Sequence, residues 1–312
     1  MAASHDHKLT LPYFGEDLPG PLPTQEQIDS AEQILVEVGG RKVARVGEHY
    51  VVKCGEAVEE LEVEAATMIF LRNTTCINLP KVYAVYRSGD HQAIVIVMEF
   101  IPGSNLLESW PRLSAAQKRQ VCLALRQQID QLRTLPSLGY FGGVGKQPMP
   151  DGIFWTAEGD ERSPGVNGPF YSENELNNAL VGKTLLVDKT WNGRGPQRSQ
   201  FYQRMLPVVL RNHASVFTHA DLQRKNIIIQ SSSGSKVPLT SNGELDHLQA
   251  GDLRVVLVDW EKAGWYPSYW EYCAASWAFR FDDDWPEYLE TVLDPWPAEY
   301  AWLHILRNEL WS

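Results

Sequence analysis

No run of 18 apolar residues occurs in the chain, and its opening MAASHDHKLTLPYF holds no apolar stretch of the kind an export signal needs. A membrane span and a secretory signal are both unexpected, and a cytoplasmic location fits. Cysteine is scarce: Cys54, Cys76, Cys122 and Cys273 stand apart, with no CxxC pair and no histidine at ligand spacing. That pattern speaks against a zinc site and a disulfide framework. Positive charge is short too, with 28 Lys and Arg against 39 Asp and Glu, a net charge of −11. Such a balance disfavours nucleic acid and anionic membrane as partners and leaves small, neutral or cationic molecules. Repeats are absent. A P-loop fails on spacing: Gly145-Lys146 would need Gly at 140 and Ser or Thr at 147, where the chain has Tyr140 and Gln147.

What the chain does have is length and apolar content, 312 residues with 44% hydrophobic, enough for one large domain or two lobes with a substantial core. Residues 1–23, rich in Pro, Gly and charge, read as an extended leader. TQEQ at 24–27 is a capping box, expected to open a helix that runs to Gly39-Gly40. KVARV and HYVVKC alternate around Gly47-Glu48 as a hairpin does, a helix is expected over 57–72, and VYAVYR and QAIVIVMEFI read as strands joined at SGDH. The fold class is α+β, with a strand-rich first part over 24–100 and a mainly helical part over 101–312. In the latter, helices are expected over 114–135, from the capping box SENE at 172–175, near 198–213, and three times after 268. Two short β-rich runs interrupt them, NIII at 226–229 and LRVVLVDW at 253–260, with a Ser/Gly-rich loop between.

Nucleotide-dependent phosphoryl transfer requires a carboxylate to orient the acceptor hydroxyl, oxygen ligands for Mg²⁺ and a cation on the phosphates. THADLQRKN offers Asp221 and Asn226 five apart on a loop entering a strand, and Asp259 ends the second run of the same hairpin. Lys53 ends a strongly apolar strand and would need a partner if buried; Glu64, in the next helix, is placed to supply one. Read alone, THADLQRKN is equally a turn that caps and bends, while a surface lysine and a solvated acid are the lesser alternative for Lys53 and Glu64.

Together these residues resemble a known family. HADLQRKN is similar to an HxDxxxxN catalytic loop, VVLVDWEKAG to a metal-binding acidic element, and VVK with EVEAA to the Lys-Glu pair of the aminoglycoside phosphotransferase and choline kinase group, most like a fungal branch of it. The resemblance covers about residues 35–310. It implies a bilobal protein-kinase-like fold and a small-molecule kinase using ATP or GTP with Mg²⁺, acting on a hydroxyl of a small acceptor for which a cationic character is open. By the same resemblance Asp221 is the catalytic residue, His219 belongs to the catalytic loop as its brace, and Asn226, Asp259 and Glu261 are the metal-binding set. Lys53 and Glu64 belong to the phosphate-binding side, and Met98, Glu99 and Ile101 of MEFIPG to the adenine. Glu271 of SYWEY is expected to anchor the catalytic loop.

The chain also departs from that pattern. No GxGxxG precedes Lys53, only Gly39-Gly40 and Gly47. That keeps open a nucleotide-binding pseudoenzyme or adaptor. Gln223 stands two places after Asp221, where protein kinases usually carry Lys, and DWEKAGWYPSYWEY passes straight into an expected helix with no long activation segment. Both features make an atypical protein kinase a lesser alternative. Seven acids and no Lys or Arg lie between Asp282 and Glu299, interleaved with Trp285, Tyr288 and Trp296. They read either as a cation site or as the solvated face of helices whose aromatics are in the core.

Overall fold

The computed structural model describes residues 9–56, 58–88, 93–156, 164–190, 193, 195–231, 253–278 and 281–310. The chain forms two compact units, Met1–Ala124 with Arg224–Glu261, and Leu125–Gln223 with Lys262–Ser312.

The first unit is built on a six-stranded antiparallel sheet of β1 (Tyr13–Phe14), β2 (Gln33–Val38), β3 (Arg41–Val46), β4 (Tyr50–Gly55), β5 (Val82–Ser88) and β6 (Ala93–Glu99), in the order β1-β5-β6-β4-β3-β2. The β-branched run of β6 makes it a central strand buried on both faces. Val95 and Val97 pack with Val52, Tyr50, Tyr83 and Ile28 on one face. Alternation turns Ile94 and Ile96 to the other, where α2 (Val58–Thr74) brings the buried Leu61, Ala65, Met68 and Leu71. The antiparallel strands Ile227–Ser231 and Leu253–Leu257 belong to this unit, tied to it where Leu257 N–H donates to Asn78 O (3.0 Å) and Gln230 Nε2 to Pro102 O (2.9 Å). Residues 232–252, expected as the loop between them, and most of the SGDH turn lie outside the described residues.

One expectation from the sequence fails here. The TQEQ box forms, Gln27 N–H donating to Thr24 Oγ1 and Thr24 N–H to Gln27 Oε1. Yet the helix α1 (Gln25–Asp29) stops at Asp29, and QILVEV is the strand β2. Gly39 (φ +59°) and Gly40 (φ +75°) explain why: two successive positive φ values make a two-residue hairpin turn that pairs Val38 with Arg41. A capping box fixes where a helix begins and not how long it runs.

In the second unit the helices Glu173–Thr190, Gln197–Val209, Trp270–Trp277 and Pro297–Leu310 surround a core that includes Phe154, Leu180, Leu206, Trp270, Leu303 and Leu306. At SENE, Ser172 Oγ accepts from Glu175 N–H, while the Glu175 carboxylate accepts from Tyr171 N–H, one residue earlier than a standard box. The pair Ser215–Thr218 and Gly264–Pro267 runs antiparallel. Against it lies the segment with the P-loop look-alike: Gly142 and Trp265 exchange both backbone hydrogen bonds (2.8 and 2.9 Å), and a Cβ on Gly264 would stand 2.6 Å from Gly142 O. Gly143 bridges Gln147 across a reversal with Lys146 at φ +57°, so the Gly-Lys pair is a turn. The Trp-rich run is packing, with Trp265, Tyr266, Tyr269 and Trp270 fully buried. The acidic segment is likewise solvated: on the helix Trp285–Val292, Trp285 is buried while Glu287 and Glu290 are exposed, as are the flanking Asp282, Asp283 and Asp294. Among the described residues no helix is long and apolar enough to cross a membrane.

Candidate active site

In the first unit four of the expected residues meet on one ammonium group. Lys53, in β4 between Val43 of β3 and Ile96 of β6, is buried. Its Nζ lies 2.8 Å from Glu64 Oε2, 2.9 Å from Asp259 Oδ1 and 3.3 Å from Glu261 Oε2. Burial alone would lower the pKa of this lysine, but Glu64, Asp259 and Glu261 outweigh it and hold the ammonium above its usual range. Glu64, in α2 and 2% exposed, is pushed up by burial against the pull of Lys53. Asp259 and Glu261, by contrast, reach solvent.

Local structure explains the gathering. Leu253–Leu257 delivers the chain to Asp259, which sits at φ +67°, a strained conformation for a side chain with Cβ. Fully buried Trp260 holds the turn by donating Nε1–H to Leu257 O (3.0 Å). Asn226, buried at the start of Ile227–Ser231, accepts the Val258 N–H on its carbonyl (3.0 Å), which continues the ladder of the two strands to the point where Asp259 begins. Arg41, which no motif in the sequence singled out, follows the Gly39-Gly40 turn directly; it binds Glu261 Oε2 at 2.7 Å and pairs with Glu60. Two cations thus face four carboxylates. The oxygens of Glu64, Asp259 and Glu261 lie within 4.8 Å of one another, and an all-oxygen set with surplus negative charge fits a hard divalent cation such as Mg²⁺.

The expected adenine-side residues lie at the end of β6. Met98 is buried opposite Val51 and Val82. Glu99 N–H donates to Lys81 O and Phe100 N–H to His49 O, both at 2.8 Å, so the strand remains anchored as far as Phe100 and half-buried Ile101 is the first residue beyond.

Asp221 and His219 belong to the second unit. The strand Ser215–Thr218 ends at His219, whose N–H donates to Glu271 Oε2 (2.7 Å) while Ala220 N–H donates to Glu271 Oε1 (3.1 Å). Pulled in this way, Ala220 takes φ +62° and the chain bends there, just before Asp221. His219 is fully buried and its Nδ1 accepts from Asp221 N–H (3.3 Å), a bracing contact. Gln223 Nε2 donates to Asp221 Oδ1 at 2.6 Å, and Lys262 Nζ stands 3.7 Å from the same oxygen. The Lys262 contact was not foreseen from the sequence, although its position directly after DWE was the available signal. In the same unit, buried Asp151 accepts from Ile153 N–H and Trp270 Nε1–H, and burial raises its pKa.

The model of the phosphotransferase enzyme family matches residues 30–238, more than half of the chain. The chain belongs to the phosphotransferase enzyme family. The matched span of this phosphotransferase contains Lys53, Glu64, Asp221 and Asn226; Asp259 and Glu261 follow it. Among solved structures it is similar to ADP-bound aminoglycoside phosphotransferase APH(2'')-Ib, with TM-score 0.54, 13% identity, and coverage of 89% of this chain and 79% of that one. A GDP and kanamycin complex of another APH(2'') enzyme gives TM-score 0.52, 15% identity, 91% and 84%. The gentamicin complex of an APH(2'') enzyme gives TM-score 0.52, 13% identity, 89% and 78%. At these identities the likeness concerns the fold, which is protein-kinase-like, with a β-rich N-terminal region and a helical C-terminal region. No curated protein matches the phosphotransferase by sequence.

Proposed function

We propose that this phosphotransferase is a Mg²⁺-dependent O-kinase that moves the γ-phosphoryl group of ATP or GTP to a hydroxyl of a small molecule. The observation that carries the reading is the buried Lys53–Glu64 pair with Asp259 and Glu261 gathered on the same ammonium. In this reading Lys53 holds the α- and β-phosphates and Glu64 keeps it in place. Asn226 and Asp259 hold Mg²⁺, with Glu261 as a further acid; when bound, the ion would neutralise charge on the β- and γ-phosphates. Met98, Glu99 and Ile101 receive the base. Asn226, Asp259 and Glu261 group with the first compact unit, so the nucleotide side includes them as well as residues 24–100. Asp221 orients the acceptor hydroxyl and takes its proton, on a loop that His219 and Glu271 brace.

A small acceptor is favoured by the chain after Asp259: one turn and the strand Gly264–Pro267 lead directly to the helix Trp270–Trp277, with no long activation segment. The net charge of −11 favours a neutral or cationic one. A nucleotide-binding adaptor is the second reading, motivated by the two-residue Gly39-Gly40 turn, which offers fewer backbone amides than a glycine-rich loop. Asp221→Ala decides the first reading: release of phosphate from MgATP, with and without a panel of small hydroxyl acceptors, should fall by about 10²- to 10⁴-fold while nucleotide affinity stays within about twofold. Retained turnover in the variant would sink the assignment; binding without turnover by the unaltered chain would favour the adaptor.

A further inference from the structure

Two donors converge on one oxygen of Asp221. Gln223 Nε2 meets Oδ1 at 2.6 Å and Lys262 Nζ approaches it to 3.7 Å. They differ in kind. The amide of Gln223 is neutral, so it fixes the carboxylate's rotamer without adding charge. The ammonium of Lys262 adds charge from a separate segment, and 3.7 Å is an ion-pair contact longer than a direct hydrogen bond. Its attraction can therefore shift to a newly formed negative charge without breaking a short bond to Asp221.

The placement of Lys262 is built into the fold. Its carbonyl accepts the hydroxyl of Tyr266 (2.8 Å), and Tyr266 is fully buried, so the core anchors the backbone beneath the side chain. The side chain itself is 22% exposed, against 9% for Asp221, which leaves the ammonium accessible from solvent. Arg307 also feels Asp221 and Asp151, but burial lowers its pKa and its guanidinium lies over the Trp277 ring at 4.3 Å. Lys262 thus stands at ion-pair distance from Asp221 on an anchored backbone.

We propose that Gln223 and Lys262 divide between them two tasks at Asp221, where protein kinases usually carry a single lysine two places after the catalytic Asp. Gln223 is a positioning residue that holds Oδ1, and Lys262 supplies the positive charge beside the transferring phosphoryl group. The division rests on the kinase reading above. In the transfer, the bond between the γ-phosphorus and its bridging oxygen breaks, a bond from the acceptor oxygen to that phosphorus forms, the acceptor proton goes to Asp221, and the nucleoside diphosphate leaves with the bridging electrons. The charge that develops on the phosphoryl oxygens is what an ammonium at this place would stabilise.

The test uses the full chain and MgATP, with water as acceptor and release of inorganic phosphate as readout, alongside equilibrium binding of ATP and thermal melting. Lys262→Met should lower kcat by about 10²- to 10³-fold, the scale of removing one electrostatic stabiliser, with ATP affinity and melting temperature nearly unchanged. Lys262→Arg should retain most of the rate. Moving the charge to the protein-kinase position, in the double variant Lys262→Met with Gln223→Lys, should recover at least about tenfold over Lys262→Met alone. A Lys262→Met enzyme within about twofold of the parent, while Asp221→Ala is inactive, overturns this inference and spares the kinase reading. The inference is equally overturned if the loss tracks melting temperature or if Gln223→Lys gives no recovery. A parent chain that consumes no MgATP either with water or with the panel of small hydroxyl acceptors overturns both.

Discussion

Glu271 shows how much one side chain can decide. Its carboxylate, 1% exposed, accepts the N–H groups of both His219 and Ala220, and the turn at Ala220 (φ +62°) exists because both amides are drawn to it. Truncation would leave two buried amides without an acceptor, each costing about 1–3 kcal/mol. Glu271→Ala is therefore expected to destabilise by about 2–5 kcal/mol in urea titration and to reduce MgATP turnover by at least tenfold even where the protein is folded, because Asp221 loses its bearing. Glu271→Gln keeps one acceptor oxygen and should fall between the two. Equal turnover in Glu271→Ala and the parent would mean that the carboxylate only supports the fold. That role was an expectation the family resemblance placed on SYWEY, whereas the Lys262 contact was not foreseen: its place directly after DWE marked the residue but not its partner, because Lys262 and Asp221 lie far apart in the chain and only the tertiary fold brings them together.

At the scale of elements, strand β4 and helix α2 are joined through Lys53 and Glu64. Because Glu64 is 2% exposed, removing its partner strands a buried carboxylate, whereas Asp259 and Glu261 can turn to water. Lys53→Met should cost about 3–5 kcal/mol, and adding Glu64→Met should recover most of it, since an apolar pair can replace a buried ion pair. Nucleotide affinity should stay at least tenfold weakened in both, because the phosphate-binding charge is gone from each. Recovery of binding in the double variant would remove Lys53 from the phosphate site. Of these elements, β3 to β6 and α2 were plain from alternation and helical spacing. Strand β2 was not, because the TQEQ box announced a helix and QILVEV can be drawn on either period over so short a run. The deciding signal was Gly39-Gly40, which reads as a helix stop or as a hairpin turn until the partner strand is known. Arg41 was hidden for the same reason: its pairing with Glu261 depends on the hairpin that a helix over this stretch would erase.

On the scale of the whole molecule, any ligand that binds the folded chain and not the unfolded one stabilises it by mass action, about 2.7 kcal/mol at a hundredfold excess over Kd. The four carboxylates around two cations in the first unit mean that ATP without a metal adds phosphate charge to a region already negative, while MgATP brings its own compensation. Saturating MgATP should therefore raise the melting temperature by several degrees, and excess EDTA should remove most of that rise. Asp259→Asn separates the metal from the fold, because Asn tolerates the positive φ that Asp259 adopts (φ +67°) and removes one negative charge. The variant is expected to melt close to the parent without ligand, yet to show little difference between ATP and MgATP. A parent whose thermal shift is the same with and without Mg²⁺ would take the divalent ion out of the reading. A metal-free shift larger in Asp259→Asn than in the parent would instead show that repulsion between Asp259 and the phosphates is what the ion relieves.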